Sequence, residues 1–325
     1  MRLLRSIAAV AVALAPATVA TAWHGKGHDL ASRAAVAATE SQMPAFFAAG
    51  VDAIANVSQD NDAFTRPIAP PELHAAEAPE HYFDIELLGG KAVPKDRYEF
   101  IEFCCRNGLR PDKVGLLPYA ITEWTQRLTV ALAEHRRWPN DPAIRAKCLV
   151  YAGLLAHYAA DACQPLHLTI DWDGRALPDG SSPRTGIHLR VDSLPNGLRI
   201  APRDLAGGLK VAAFDKVMDA TLAEFQRTRS HIDRVYQLEP QLPPADGDQP
   251  LPPEVAEFTT ERMKAAAAFT ACLYLTAWRD SAKLELPPWH RARTMPPAAT
   301  QPAEAAPIEA LREGTFRPTR ATINR

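Results

Sequence analysis

No Cys-x-x-Cys occurs among the five cysteines of this 325-residue chain, which removes the usual framework of a thiolate zinc site. No Gly-x-Ser-x-Gly is present, so a serine nucleophile elbow is excluded as well. There is no excess of either charge: 36 basic against 38 acidic residues leave a net charge of -2. A chain of that balance has no global field to attract a polyanion, so any such substrate must be met by local positive charge. Runs of alternating Val, Ile and Thr are scarce, which makes a large sheet improbable, and no internal repeat is present. Beyond the first two dozen residues no apolar run is long enough to span a membrane.

What is there is mostly helical. Apolar residues recur at three- and four-residue spacing through 27–39, 42–56, 115–136, 141–163, 209–236 and 253–284. The expected fold is therefore all-α, a compact multi-helix domain over 23–286. Proline- and aspartate-rich 237–252 and turn-rich 171–185 read as loops. The Pro/Ala/Arg-rich tail, 287–325, reads as disordered apart from a short helix near Ile308–Leu311.

The first 22 residues read as a secretory signal. Arg2 and Arg5 are followed by an apolar stretch from Ser6 to Val19 and the small-x-small pattern Ala20-Thr21-Ala22. Cleavage there makes Trp23 the first mature residue and places the protein in the periplasm or outside the cell. An exported chain with Cys104, Cys105, Cys148, Cys163 and Cys272 is permitted disulfides, with one thiol left over. Cys148 and Cys163 lie roughly 22 Å apart along one expected helix, beyond disulfide reach. A bond to either would involve Cys104 or Cys105.

The informative run is His157-Tyr158-Ala159-Ala160-Asp161-Ala162-Cys163-Gln164-Pro165-Leu166-His167. His157 and Asp161 are four apart and share a helix face, so both can reach one cation. Pro165 ends or bends that helix and can swing His167 toward the same place. The spacing repeats at His188 and Asp192, and a third cluster is His81-Tyr82-Phe83-Asp84, with Asp60 and Asp62 upstream. A single His-x-x-x-Asp is ordinarily a surface hydrogen-bonded pair, but two within 36 residues, joined by Gln-Pro-Leu-His, point to a site of imidazoles and carboxylates suited to zinc.

With these motifs the chain resembles the superfamily that joins zinc-dependent bacterial phospholipases C with secreted single-strand-specific nucleases. The resemblance runs from Trp23 to about Trp278 and rests on Trp23, Gly27-His28, His-Tyr-Phe-Asp, His-x-x-x-Asp-x-x-Gln-Pro-Leu-His and Gly-x-His-x-x-x-Asp. It implies three zinc ions in a cleft. One would be held by Asp60, His81, His157 and Asp161. A second would take the amine and carbonyl of Trp23, His28, and Asp161 as a bridge, and a third His167, His188 and Asp192. At the first position the sequence reads Ser-Gln-Asp-Asn-Asp-Ala-Phe-Thr-Arg, so Asp62 is an alternative to Asp60, and Arg66 stands close by. The remaining histidines (His24, His74, His135, His231 and His290) match no motif position and read as exposed or structural.

Three Zn²⁺ against three carboxylates leave such a site at about +3, enough to hold a phosphate. The implied activity is phosphodiester hydrolysis by metal-activated water, oriented by Asp60 and Asp161. Single-stranded DNA or RNA is the leading substrate, with removal of 3'-phosphates as an added activity. Tyr82 and Asp84 would stack on and hydrogen-bond a base. The alternative substrate is phospholipid, for which the Gly186 lead-in and Phe83 speak. Nothing in the sequence points to a protein partner.

Overall fold

The computed structural model describes Trp23, residues 25–245 and residues 249–291. The signal segment 1–22 and all but the first residues of the tail, Ile308–Leu311 included, lie outside the described residues. The chain divides into two units, Met1–Leu284 and Glu285–Arg325. The described part of the second holds one helical turn, Pro288–Arg291. All that follows concerns the first.

The architecture is all-α. Among the described residues the only β pairing is an isolated bridge between Trp172 and Gly174. The principal helices are α1 (Gly25–Thr39), α2 (Val51–Val57), α3 (Leu117–Arg137), α4 (Pro142–Asp161), α5 (Ile187–Asp192), α6 (Val217–Arg229) and α7 (Pro253–Ser281). None is long and apolar enough to cross a membrane.

Helix α4 is the centre of the packing, with α3 on one side and α1, α2 and α7 around the rest. Its start is set by Asp141, whose carboxylate accepts from the amides of Ala143 and Ile144 at 2.9 and 3.3 Å, with Pro142 at the first helical position. Its last two turns, Leu155 to Asp161, are buried on every face, so His157 and Asp161 are carried into the interior by the helix itself. The Tyr274 hydroxyl of α7 donates to the Ala152 carbonyl at 2.9 Å and ties the two buried helices together.

Two expected helices differ in extent. Instead of one helix over 42–56, Ala45–Ala49 and α2 meet at Gly50, where a Cβ would stand 2.4 Å from Leu149 Cδ1 of α4. Instead of 209–236, α6 begins at Val217. The preceding segment has its amides captured by α7: Ala212 N–H meets Cys272 Sγ at 3.4 Å and Phe214 N–H meets Thr276 Oγ1 at 2.8 Å. Side-chain acceptors on a neighbouring helix have replaced the helical partners that the periodicity suggested.

The disulfide expectation is corrected. All five cysteines are free, four of them buried. Cys163 lies 3.7 Å from a Glu224 carboxylate oxygen and Cys272 against the Ala212 amide.

Candidate metal centre

Three groups of buried histidine and aspartate bring their ligand atoms within 4.8 Å of one another: His28, Asp62 and His157; His81, His157 and Asp161; His167, His188 and Asp192. They come from α1, from the short helix Asp60–Phe64, from the turn Ala78–His81, from α4, from the turn Pro165–Leu168 and from α5. Sequence distances of up to 164 residues, from His28 to Asp192, collapse into one region.

The imidazole orientations are set by backbone carbonyls. His157 Nδ1 is 2.8 Å from Ser58 O, His167 Nδ1 is 2.7 Å from His81 O, and His188 Nδ1 is 3.1 Å from Trp172 O. A carbonyl can only accept, so each Nδ1 carries the hydrogen and each Nε2 of a neutral ring is left with a lone pair. These lone pairs converge. His167 Nε2 and His188 Nε2 are 3.2 Å apart, and His188 Nε2 is 3.0 Å from Asp192 Oδ2. His157 Nε2 lies 3.0 Å from His81 Nδ1 and 3.3 Å from Asp161 Oδ2, and His81 Nδ1 lies 3.1 Å from the same oxygen. Donor atoms packed this closely can share a cation. Bonds of 2.0–2.1 Å in a tetrahedron put neighbouring donors ~3.3 Å apart, so the spacing fits zinc.

Protonation favours the same conclusion for His81, His157 and His167. Burial, then the neighbouring His157, holds His81 well below the ordinary imidazole range; burial likewise lowers His157 and brings His167 down to about 4. Neutral rings are what ligation requires. Burial, then Asp192, pushes the Asp161 carboxyl well above its ordinary value. Asp161 also ends α4, where the helix dipole is negative and the last turn has no basic residue. His81 Nε2, Asp62 Oδ1 and Asp161 Oδ1 are buried with no hydrogen-bond partner. The donor set therefore fits a divalent metal, and the three groups can hold metal ions.

Asp161 joins two of the groups. Oδ2 faces His81 and His157, while Oδ1 lies 3.5 Å from His28 Nε2. His157 has one free lone pair and can serve one ion; a carboxylate has two oxygens and can serve two. By that division the aspartate, rather than His157, would be the group able to bridge two ions. The third group is braced separately: Gln164 donates its side-chain amide to Asp192 Oδ1 at 2.7 Å while its own oxygen accepts from Leu166 N–H. His188 is held further by its amide, 3.3 Å from Asp173 Oδ1.

Asp60 falls in none of the three groups; Asp62 takes its place beside His28 and His157. Two residues apart on a helix are about 200° apart in direction, so only one of the pair can face the site. Asp62 is buried and Asp60 only half-buried. Burial pushes the Asp62 carboxyl up to about 7 from 3.8, against the pull of His157. Its contribution to metal-free stability is thus complete below about 3.8 and lost as pH rises through 7. Asp62→Asn should bind less metal, yet at pH 8 the metal-free variant should be more stable than wild type by ~4 kcal/mol. The gain should vanish near pH 4, and Asp60→Asn should change neither quantity. Metal titration and thermal melts at the two pH values check this; loss of metal in Asp60→Asn alone would restore Asp60 as the ligand.

Beside the histidines lies a cavity of about 320 Å³, lined among others by Asp62, His81, Tyr82, Asp84, His167 and His188. Tyr82 is half-buried and donates its hydroxyl to Asp112 O. Its position depends on Gly115, at φ +98°, because a Cβ there would stand 2.0 Å from Tyr82 O. Burial, then Glu86, pushes the Asp84 carboxyl up to about 8. Phe83 points the other way, fully buried against Phe100 and Phe225, so its side chain serves the core and does not face the cavity.

Trp23 is fully buried, and its indole N–H donates to Ala160 O at 3.1 Å, next to Asp161. Trp172 and Lys113, which also line the cavity, were not singled out by the motifs. An aromatic between two aspartates, five residues after the His of Gln-Pro-Leu-His, was the available signal for Trp172; an exposed lysine in a polar stretch offered none. No family model matches the chain, and no curated protein matches it.

Proposed function

We propose that this chain is an exported zinc-dependent phosphodiesterase whose preferred substrate is single-stranded nucleic acid. The observation that carries the proposal is the convergence of three carbonyl-fixed imidazoles on buried carboxylates at the spacing of a tetrahedral site, open to a cavity. Asp62, His81, His157 and Asp161 would hold one ion, His28 with Asp161 and the backbone of Trp23 a second, and His167, His188 and Asp192 a third. Zinc held there would supply Lewis acidity and water of lowered pKa for attack on phosphorus.

The protein's own groups do the rest. Ser58, His81 and Trp172 carbonyls fix the donor faces, and Gln164 fixes Asp192, so the site needs little rearrangement to accept metal. Lys113 adds a cation to the cavity wall for a phosphate, while Ala78, Leu166 and Trp172 supply apolar surface that displaces water. Tyr82 offers a ring and Asp84 a carboxyl to a base in the same cavity. The lipid reading loses the support of Phe83, whose ring is in the core.

Purified protein assayed for bound zinc and, in parallel, on single-stranded DNA, RNA and phosphatidylcholine vesicles tests the proposal. Vesicle hydrolysis without nuclease activity would replace it with a phospholipase C. On substrate recognition, Tyr82→Ala should weaken apparent nucleic-acid binding by ~1–3 kcal/mol, whereas bis(p-nitrophenyl) phosphate turnover stays near wild type. Tyr82→Phe keeps the ring and should behave as wild type on both. Equal losses on both substrates in Tyr82→Ala would assign the ring to packing.

A further inference from the structure

Away from the metal centre, a second cavity of about 500 Å³ lies between α6, the start of the following helix Ile232–Leu238, and α7. Arg262 of α7 projects into its wall. The side chain is only 6% exposed, yet its Nε and Nη1 have no hydrogen-bond partner; only Nη2 is answered, by Glu261 at 2.8 Å. A guanidinium is charged at every relevant pH, and leaving its donors unanswered in the interior is costly. Such a group normally marks a missing partner.

The surroundings say what that partner is. Arg227 and the exposed Lys210 line the same cavity. Its two carboxylates are already engaged. Glu224 accepts from Arg227 at 2.5 and 3.0 Å, and Glu261 is more than half exposed and paired with Arg262. Three cationic side chains against two engaged carboxylates leave an excess positive charge and three unanswered N–H donors on Arg262 alone. Phe214, Phe269, Ala265 and Ala268 supply the apolar part of the lining.

We propose that this cavity is a binding site for a phosphate-class oxyanion, free or as the head of a phosphomonoester, independent of the metal centre. Arg262 Nε and Nη1 donate to its oxygens, Lys210 adds charge at the mouth, and Phe214 and Phe269 receive any organic substituent. An oxyanion suits the site because its several acceptors can answer diverging donors at once.

The test is to count and rank anion sites on the full chain as purified. Calorimetric titration with inorganic phosphate should find one site more in wild type than in Arg262→Gln. For that site Lys210→Glu should raise Kd at least fivefold. Zinc content and phosphodiester turnover should be unchanged in both variants. Phenylphosphonate, which cannot be hydrolysed at the C–P bond by this chemistry, separates the two sources. Binding tighter than phosphate identifies the phosphomonoester, and equal binding identifies the free anion. Equal site numbers in wild type and Arg262→Gln would overturn the proposal. Should Arg262→Gln not fold, a phosphate Kd unchanged from wild type at every site of Lys210→Glu would overturn it equally.

Discussion

Asp161→Asn is expected to take the protein from about three bound metal ions to about one, and to reduce phosphodiester turnover by more than ~100-fold, the upper range for losing an outer-sphere partner alone. The reason lies in the two oxygens. Oδ2 stands 3.1 Å from His81 Nδ1 and 3.3 Å from His157 Nε2, and Oδ1 stands 3.5 Å from His28 Nε2. An amide keeps one weakly donating oxygen, supplies no charge, and offers an NH₂ where the second oxygen was. The group of His167, His188 and Asp192 has its own carboxylate and should keep its ion.

His188→Ala is the matching control: it should lose one ion and leave the other two. Metal-free stability separates ligation from architecture. Burial and Asp192 already disfavour the ionised Asp161 carboxyl, so it is a group raised above its ordinary value. Its stabilising contribution is present at low pH and lost as pH rises. The neutral Asn variant should therefore melt, without metal at pH 8, no lower than wild type. A variant with full metal and near-normal turnover would remove the bridge; a metal-free variant that unfolds would make Asp161 a structural residue.

The helical class was legible because one-sided burial of α1 and α3 imposes a helical period on their apolar residues, and because Asp141-Pro142 announces a start. The pairs His157/Asp161 and His188/Asp192 were legible for the same reason: i and i+4 share a face whatever surrounds the helix. What was not legible depends on atoms far away in the chain. Whether Asp60 or Asp62 faces inward is decided by how the short helix Asp60–Phe64 docks on α4, and both read alike in sequence. The true start of α6 is decided by acceptors on Cys272 and Thr276, some sixty residues downstream. Phe83, beside Tyr82 in the motif, faces the core because consecutive residues in extended backbone point to opposite sides. Arg262 gave no sign at all: in sequence it is one more charge on an amphipathic helix, and only the fold buries it.

The second large effect concerns residue 23 itself. In the proposed centre the His28 ion lacks the full set of side-chain donors that the other two possess, since His157 has one lone pair and Asp161 contributes one oxygen. Trp23 is placed to complete it. Its indole is fully buried and anchored at 3.1 Å on Ala160 O, the residue before Asp161, and residue 23 lies five positions before His28. A backbone nitrogen can ligate only as a free amine, because in a peptide bond its lone pair is delocalised into the carbonyl. Signal removal after Ala22, a cut that lies outside the described residues, would thus both export the protein and create the ligand. Two forms distinguish this from packing: one beginning at Trp23, the other carrying a single additional Gly before it. The indole and its bond to Ala160 are the same in both, so fold and melting temperature without metal should match. The extended form should bind about one zinc fewer and lose most of its turnover. Equal zinc and equal rates would leave Trp23 with packing as its only role and the precursor as active as the mature enzyme.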